Sequence, residues 1–347
     1  MAKNKKVGFI IAISAFVVAI CLAIFGRYET VLASNVKDDS ELFIPTGATY
    51  ANVLDSLSAH DVLHNIVTFQ SYARIKGYPN MVKRGHYRLR KGMSNRHLVA
   101  LLQSGQQVPV RLTFTRLRSL EHLAARVGNL IEVDSTQLIH AFYDSSFLAT
   151  TGFNEDNVKC IFIANTYDVW WTSTASEFVN KMYHEYRVFW NDQRKQQAQQ
   201  LGLTPEEVIV LASIVEEETN KNDEKPMIAR VYLNRLNKGM RLQADPTARY
   251  AVGNFQLRRI LNTHLKAVSP YNTYLNLGLP PGPICTPSTP SIESVLNAPN
   301  HDYMYFCAKY DFSGYHSFAR NYSEHLANAR LYRQALGRRL KEQQKQS

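Results

Sequence analysis

Residues 7–25 carry neither a charge nor a proline. Roughly 19 residues at about 1.5 Å each reach about 28 Å, close to the hydrocarbon thickness of a bilayer, so the run reads as a transmembrane helix over 7–26. Lys3, Lys5 and Lys6 precede it and Arg27 follows it. By the positive-inside bias, residues 1–6 are a cytoplasmic tail and everything after Arg27 lies outside the cytoplasm, in the periplasm or its extracytoplasmic equivalent, held by a single pass of the inner (cytoplasmic) membrane. A cleaved signal peptide is the competing reading. The run is long for one, residues 25–27 offer no small-x-small cleavage site, and Ile20 before Cys21 speaks against a lipoprotein box.

Beyond the anchor, a chain of 347 residues that is 45% hydrophobic is large enough for more than one compact module. Residues 27–41 read as a linker, with a polar spacer at 35–41. Residues 42–110 read as a small α+β unit. It has a strand at 42–45, a helix buried through Val53, Leu54 and Leu57, a helix at 66–75, a strand at 85–89 and a Ser94-capped helix ending at Gly105. Residues 111–200 form a connecting part: a strand at 110–114, helices at 119–130 and 135–143, an aromatic and polar segment with Asn165, Thr166, Tyr167 and Trp170, and a long amphipathic helix at 178–200. The remainder, 201–347, includes short helix 292–296, a buried-type strand at 303–307, His316 near a turn and a closing basic helix at 323–343.

Cys160, Cys285 and Cys307 show no CxxC spacing, so they are expected as small buried hydrophobes, with one disulfide at most and no metal site or cofactor. His60 and His64 have helical spacing without an acidic partner and read as surface residues. The net charge of +11 sits partly in the two ends of the chain, a pattern of solvated faces or contact with anionic lipid. Nucleic acid is a poor partner for a body outside the cytoplasm.

The chemistry gathers at residues 204–219. Thr204, Pro205, Glu206 and Glu207 spell an N-cap, a first-turn proline and acids over the positive helix end. On the helical wheel Val208, Leu211, Ala212 and Val215 form a stripe with Glu218 at its border. Glu217 faces water and Glu216 lies on the other border. A carboxyl held among apolar side chains has its ionised form disfavoured; a rise from about 4.3 to about 6 corresponds to roughly 2.3 kcal/mol and keeps a general acid protonated near neutrality. A solvated acidic helix end is the alternative.

A second helix at 227–237 buries Ile228, Val231, Tyr232 and Leu236 and stops at Gly239. Sugar-bonding side chains follow at Gln243, Asp245, Thr247 and Tyr250, and again at Asn272, Thr273 and Tyr274. Taken in order, residues 212–219 (Ala-Ser-Ile-Val-Glu-Glu-Glu-Thr), 234–247 (Asn-Arg-Leu to Asp-Pro-Thr) and 271–284 (Tyr-Asn-Thr-Tyr to Gly-Leu-Pro-Pro-Gly-Pro-Ile) resemble the YceG-like, MltG-type family of endolytic murein transglycosylases. Glu217 stands where the family has Lys, and residues 164–167 carry Asn165 where the family has an acid.

The resemblance implies an α+β chain: the transmembrane helix, a small LysM-like module at 42–110, and a mixed α+β catalytic region whose core, 201–347, contains a lysozyme-like helical active-site element. It implies that Glu218 is the catalytic acid, first protonating the glycosidic oxygen between N-acetylmuramic acid and N-acetylglucosamine and then taking the proton of the muramyl C6 hydroxyl as that oxygen closes onto C1. The product is a 1,6-anhydromuramyl end, formed without water. Gln243, Asp245, Thr247, Tyr250, Asn272, Thr273 and Tyr274 are candidates for positioning substrate, or equally for building loops. Peptidoglycan strands are the expected partner, with the bilayer and wall-synthesis proteins beside them. Two alternatives stay open: a muramidase-type hydrolase using Asp245 or Glu216 as second carboxylate, and a membrane-anchored peptidoglycan-binding scaffold without turnover.

Overall fold

The computed structural model describes residues 2–257 and 260–346; of the expected cytoplasmic tail, Met1 and the side chains of 2–6 lie outside the described residues, as does the Lys345 side chain. The chain divides into two compact units, one of Met1–Arg111, Leu130–Val133 and Asp168–Thr174, the other of Leu112–Asn129, Asp134–Tyr167 and Ala175–Ser347.

The first unit opens with α1, Ala2–Val31. Its Val7–Val31 part is long and apolar enough to cross a membrane, and residues 7–29 of it are exposed. The helix continues past the expected end at residue 26, and its last turn is bonded into the unit: the Asn95 side-chain amide donates to the Thr30 carbonyl at 2.9 Å, and Val31 packs on the core. The expected polar spacer is likewise built in. Val36 is fully buried, the Asn35 and Val36 amides both donate to the Met93 carbonyl, and the Asn35 side chain donates to Asn95 at 2.7 Å. An asparagine pair satisfying main-chain groups looks polar in sequence yet belongs inside.

Strand β1, Ser40–Ile44, starts two residues before its expected position, and α2, Tyr50–Ala59, and α3, Ile66–Ile75, follow. Antiparallel strand β2, Gly85–Leu89, pairs with β1, and α4, Asn95–Ser104, closes the unit. Thr49, Asn65 and Ser94 cap the three helices with their side-chain oxygens. Strand alternation turns Leu42, Ile44, Tyr87 and Leu89 onto a core shared with Val53, Leu57, Phe69, Leu98 and Leu102. His60 and His64 are exposed, as expected.

β3, Val110–Thr113, pairs with a strand from later in the chain. The second unit then runs through α5, Leu120–Gly128, α6, Ser135–Phe142, and α7, Ser145–Thr151, to the start of that partner strand β4, Thr166–Val169, whose last two residues count with the first unit. The single helix expected over 178–200 is two, α8, Ala175–Phe189, and α9, Asp192–Gln200. Asn191 stops the first by capping the second, its side chain accepting from the Arg194 amide at 3.0 Å. Asp192–Gln200 is polar throughout except for buried Ala198, so periodicity gives no sign of where the first helix stops.

The centre of this unit is α10, Pro205–Glu218, with Thr204 and Glu207 in a capping box. Every residue from Val208 to Glu216 is buried, because α11, Lys225–Asn237, α12, Asp245–Val252, and α13, Thr289–Leu296, all pack against it. In α12, Pro246 occupies the first turn, where a missing amide is harmless, and Gly253 ends the helix at φ 72. β5, Tyr305–Ala308, and β6, His316–Ala319, form an antiparallel pair, half-buried rather than buried as expected, under α14, Tyr322–Gln346.

Candidate active site

Glu218 is the last residue of α10. Its Oε1 accepts a hydrogen bond from Tyr232 Oη at 2.5 Å. The two face a cavity of about 380 Å³ walled by Arg235 of α11, Leu242 and Gln243, Asp245 at the start of α12, Tyr274, Phe306, Cys307 and Ala308 of β5, and His316 of β6. Burial pushes the Glu218 carboxyl up to about 7; the Tyr232 bond pulls the other way, nearby Asp245 pushes up again, and His316 and Arg249 oppose. A helix C-terminus adds negative potential of the same sense as burial. The result is a carboxyl that holds its proton near neutrality yet can release it, as a group that must act first as acid and then as base requires.

Two wall residues are held with care. Gln243 has φ 49, a left-handed conformation that costs a residue with a Cβ about 1 kcal/mol and that glycine adopts freely. Its amide is fixed to the Thr273 carbonyl at 3.1 Å. The Tyr274 hydroxyl donates to Asp245 Oδ1 at 2.6 Å, leaving an anion beside the Glu218 acid. Beneath them Arg235 is buried and ties the walls together, donating to the Met304 carbonyl at 2.7 Å and the Leu242 carbonyl at 2.7 Å.

The sequence candidates therefore divide. Gln243, Asp245 and Tyr274 stand with Glu218 in one cavity. Thr247, Asn272 and Thr273 are buried and spend their side chains on the loops. Thr247 and Thr273 bond each other at 2.8 Å, Thr273 accepts from the Ala244 amide, and Asn272 donates to the Leu265 and Ala267 carbonyls. They shape the site from behind. Tyr250 lies at a different cavity of about 200 Å³, where its hydroxyl accepts from the buried Lys159 ammonium at 3.1 Å. Asn165 is exposed and accepts from the next residue's amide. Tyr232, Arg235, Phe306, Cys307 and Ala308 were not anticipated at the site. Tyr232 alone had a signal, as a phenol on an otherwise apolar buried face.

Glu216 and Glu217 serve structure. Glu216 is buried against Lys225 Nζ at 3.2 Å, Ser288, Ser291 and Arg116. Burial alone would raise its carboxyl, but the Ser288 and Ser291 hydroxyls and the Lys225 ammonium outweigh that and hold it at about 2. Glu217, expected to face water, has a side chain only 6% exposed and pairs with Arg118 at 2.8 Å. The reason is that α10 has no open face from Val208 onward. Cys160 and Cys285 are buried thiols, and all four cysteines are free. Among the described residues no group of three or more His, Cys, Asp or Glu side chains could hold a metal ion.

Comparison with known proteins points the same way. The YceG-like family pattern matches residues 42–331. The chain is 30% identical over 302 residues to an endolytic murein transglycosylase of Bacillus subtilis, covering 81% of this chain and 83% of that protein. It is 27% identical over 361 residues to an endolytic murein transglycosylase of Streptococcus pneumoniae, covering 92% of this chain but 64% of that longer protein. A crystal structure of a yceG-like protein from Listeria monocytogenes superposes with a TM-score of 0.56 at 26% identity, covering 84% of this chain and 98% of that one.

Proposed function

The chain belongs to the YceG-like family, and on that footing we propose that it is an endolytic peptidoglycan lytic transglycosylase with Glu218 as its catalytic acid and base. The observation that carries this reading is a carboxyl pushed up to about 7 at the wall of a polar cavity. Protonated Glu218 gives its proton to the oxygen leaving N-acetylmuramic acid C1. The resulting carboxylate takes the proton of the C6 hydroxyl, whose oxygen bonds to C1 and leaves a 1,6-anhydro end. Asp245, anionic and braced by Tyr274, sits where it can stabilise positive charge developing at the sugar ring, and Gln243 positions the chain.

In this reading α10 is the lysozyme-like element, the first unit is a LysM-like module, and α1 crosses the inner membrane once with its N-terminus in the cytoplasm. Cutting nascent strands there would end glycan elongation beside the synthases that make them. The presence of Asp245 in the same cavity favours one second reading, hydrolysis with Asp245 as second carboxylate. Digestion of purified glycan strands separates the two. The transglycosylase releases ends one water lighter than the hydrolase does, and Glu218→Gln should release neither; wild-type products that all carry added water would sink the proposal.

A further inference from the structure

The bond from Glu224 to His316 has no part in the chemistry assigned above, although His316 forms one wall of the Glu218 cavity. Glu224 stands at the start of α11 and is only 5% exposed. Each of its oxygens bonds His316: Oε1 accepts from the His316 main-chain amide at 2.6 Å and Oε2 bonds His316 Nδ1 at 2.8 Å, and the Thr219 side chain bonds the same carboxylate. Burial opposes the Glu224 charge, and the bonds and charge of His316, helped by the Thr219 bond, more than offset it, so the carboxyl is held below its ordinary range. A carboxylate can only accept, so Nδ1 is the donor. The Phe306 ring meets the imidazole edge-on at 5.2 Å and packs against it.

This is a fixed imidazole with Nδ1 spent and Nε2 left for the cavity. We infer that His316 Nε2 binds a hydroxyl of the sugar seated beside Glu218, with Glu224 as the residue that positions the ring. A hydroxyl both donates and accepts, so the contact forms whichever way Nε2 is protonated. The inference rests on the transglycosylase reading, because it needs a sugar in this cavity. The competing account is that the pair merely ties β6 to α11.

Two conservative variants separate these accounts. Asparagine places its amide near Nδ1 and can keep the Glu224 bond, but has nothing at Nε2; glutamine reaches the Nε2 position and gives up the Glu224 bond. Full-length protein in detergent is assayed on purified glycan strands, per folded molecule, with melting temperature recorded. The expected result is that His316→Asn melts close to wild type but loses roughly tenfold in kcat/KM, mainly through KM, while His316→Gln retains more activity than His316→Asn despite a lower melting temperature. The inference is overturned if His316→Asn cleaves like wild type, or if activity in both variants simply follows stability. Should His316→Asn not fold, His316→Gln decides alone: a kcat/KM within about threefold of wild type supports the contact and a deeper loss refutes it. A wild-type protein that yields no anhydro ends refutes the parent reading instead, an outcome distinct from all of these.

Discussion

A carboxyl that keeps its proton to about pH 7 must work against the fold that holds it. Glu218 has an ordinary value of 4.5 and a folded value of about 7, so the native chain binds that proton more tightly than the unfolded one. The stabilisation is complete below pH 4.5 and is lost as pH rises through 7, a swing on the order of 3 kcal/mol. Glu218→Gln should therefore melt higher than wild type at pH 8 and about equally at pH 4, while strand cleavage falls at least about a hundredfold; equal melting at both values would mean that the carboxyl is not desolvated. In the wild type, kcat/KM should decline about tenfold per pH unit above 7, as the acid form is depleted. Gln243 makes a parallel case. Gln243→Gly relieves the left-handed backbone at φ 49 and should raise stability by up to about 1 kcal/mol while lowering cleavage; a variant both less stable and fully active would show the side chain to be packing only.

At the scale of elements, the question is what keeps the end of α10 in register with its neighbours. Glu216 answers it by gathering Lys225 from α11, Ser288 from the cap of α13 and Ser291 from within α13 around one buried carboxylate. Its folded value of about 2 lies below the ordinary 4.5, so this support is present above pH 4.5 and fades as pH falls toward 2. Glu216→Gln strands the Lys225 ammonium, itself 3% exposed, and should cost about 3 kcal/mol or more by denaturant unfolding at pH 7, with the loss shrinking near pH 3. Much of α10 was legible in sequence: the Thr204 cap, the proline and the apolar stripe place Glu218 at the helix end beside a greasy border. The role of Glu217 was not, because Arg118 arrives from 99 residues away, and a wheel records which way a side chain points without recording what stands there. The same limit explains Thr247, Asn272 and Thr273. Their polarity suggested a sugar surface, and only the fold shows those groups turned inward to satisfy loop main chain.

For the molecule as a whole, the N-terminal apolar helix and the core of the first unit share a joint rather than a tether. Residues 27–41 read as a linker with a polar spacer at 35–41, but α1 runs to Val31 and residues 35 and 36 are bonded to Met93, so the helix leaves the unit directly. Asparagine side chains that replace strand partners carry no periodic signal, which is why this was not legible beforehand. The joint makes the site of truncation decisive. Removing residues 1–26 takes away only the exposed apolar segment and should give a protein that no longer pelletes with membranes but melts and cleaves soluble glycan strands as the full chain does. Removing residues 1–36 also deletes Thr30, Val31, Asn35 and fully buried Val36. Loss of that valine and of the Asn35 bonds to Asn65 and Asn95 should cost about 3 kcal/mol or more. Differential scanning calorimetry of the two truncations decides between joint and tether. If both melt together, residues 32–36 are a linker after all.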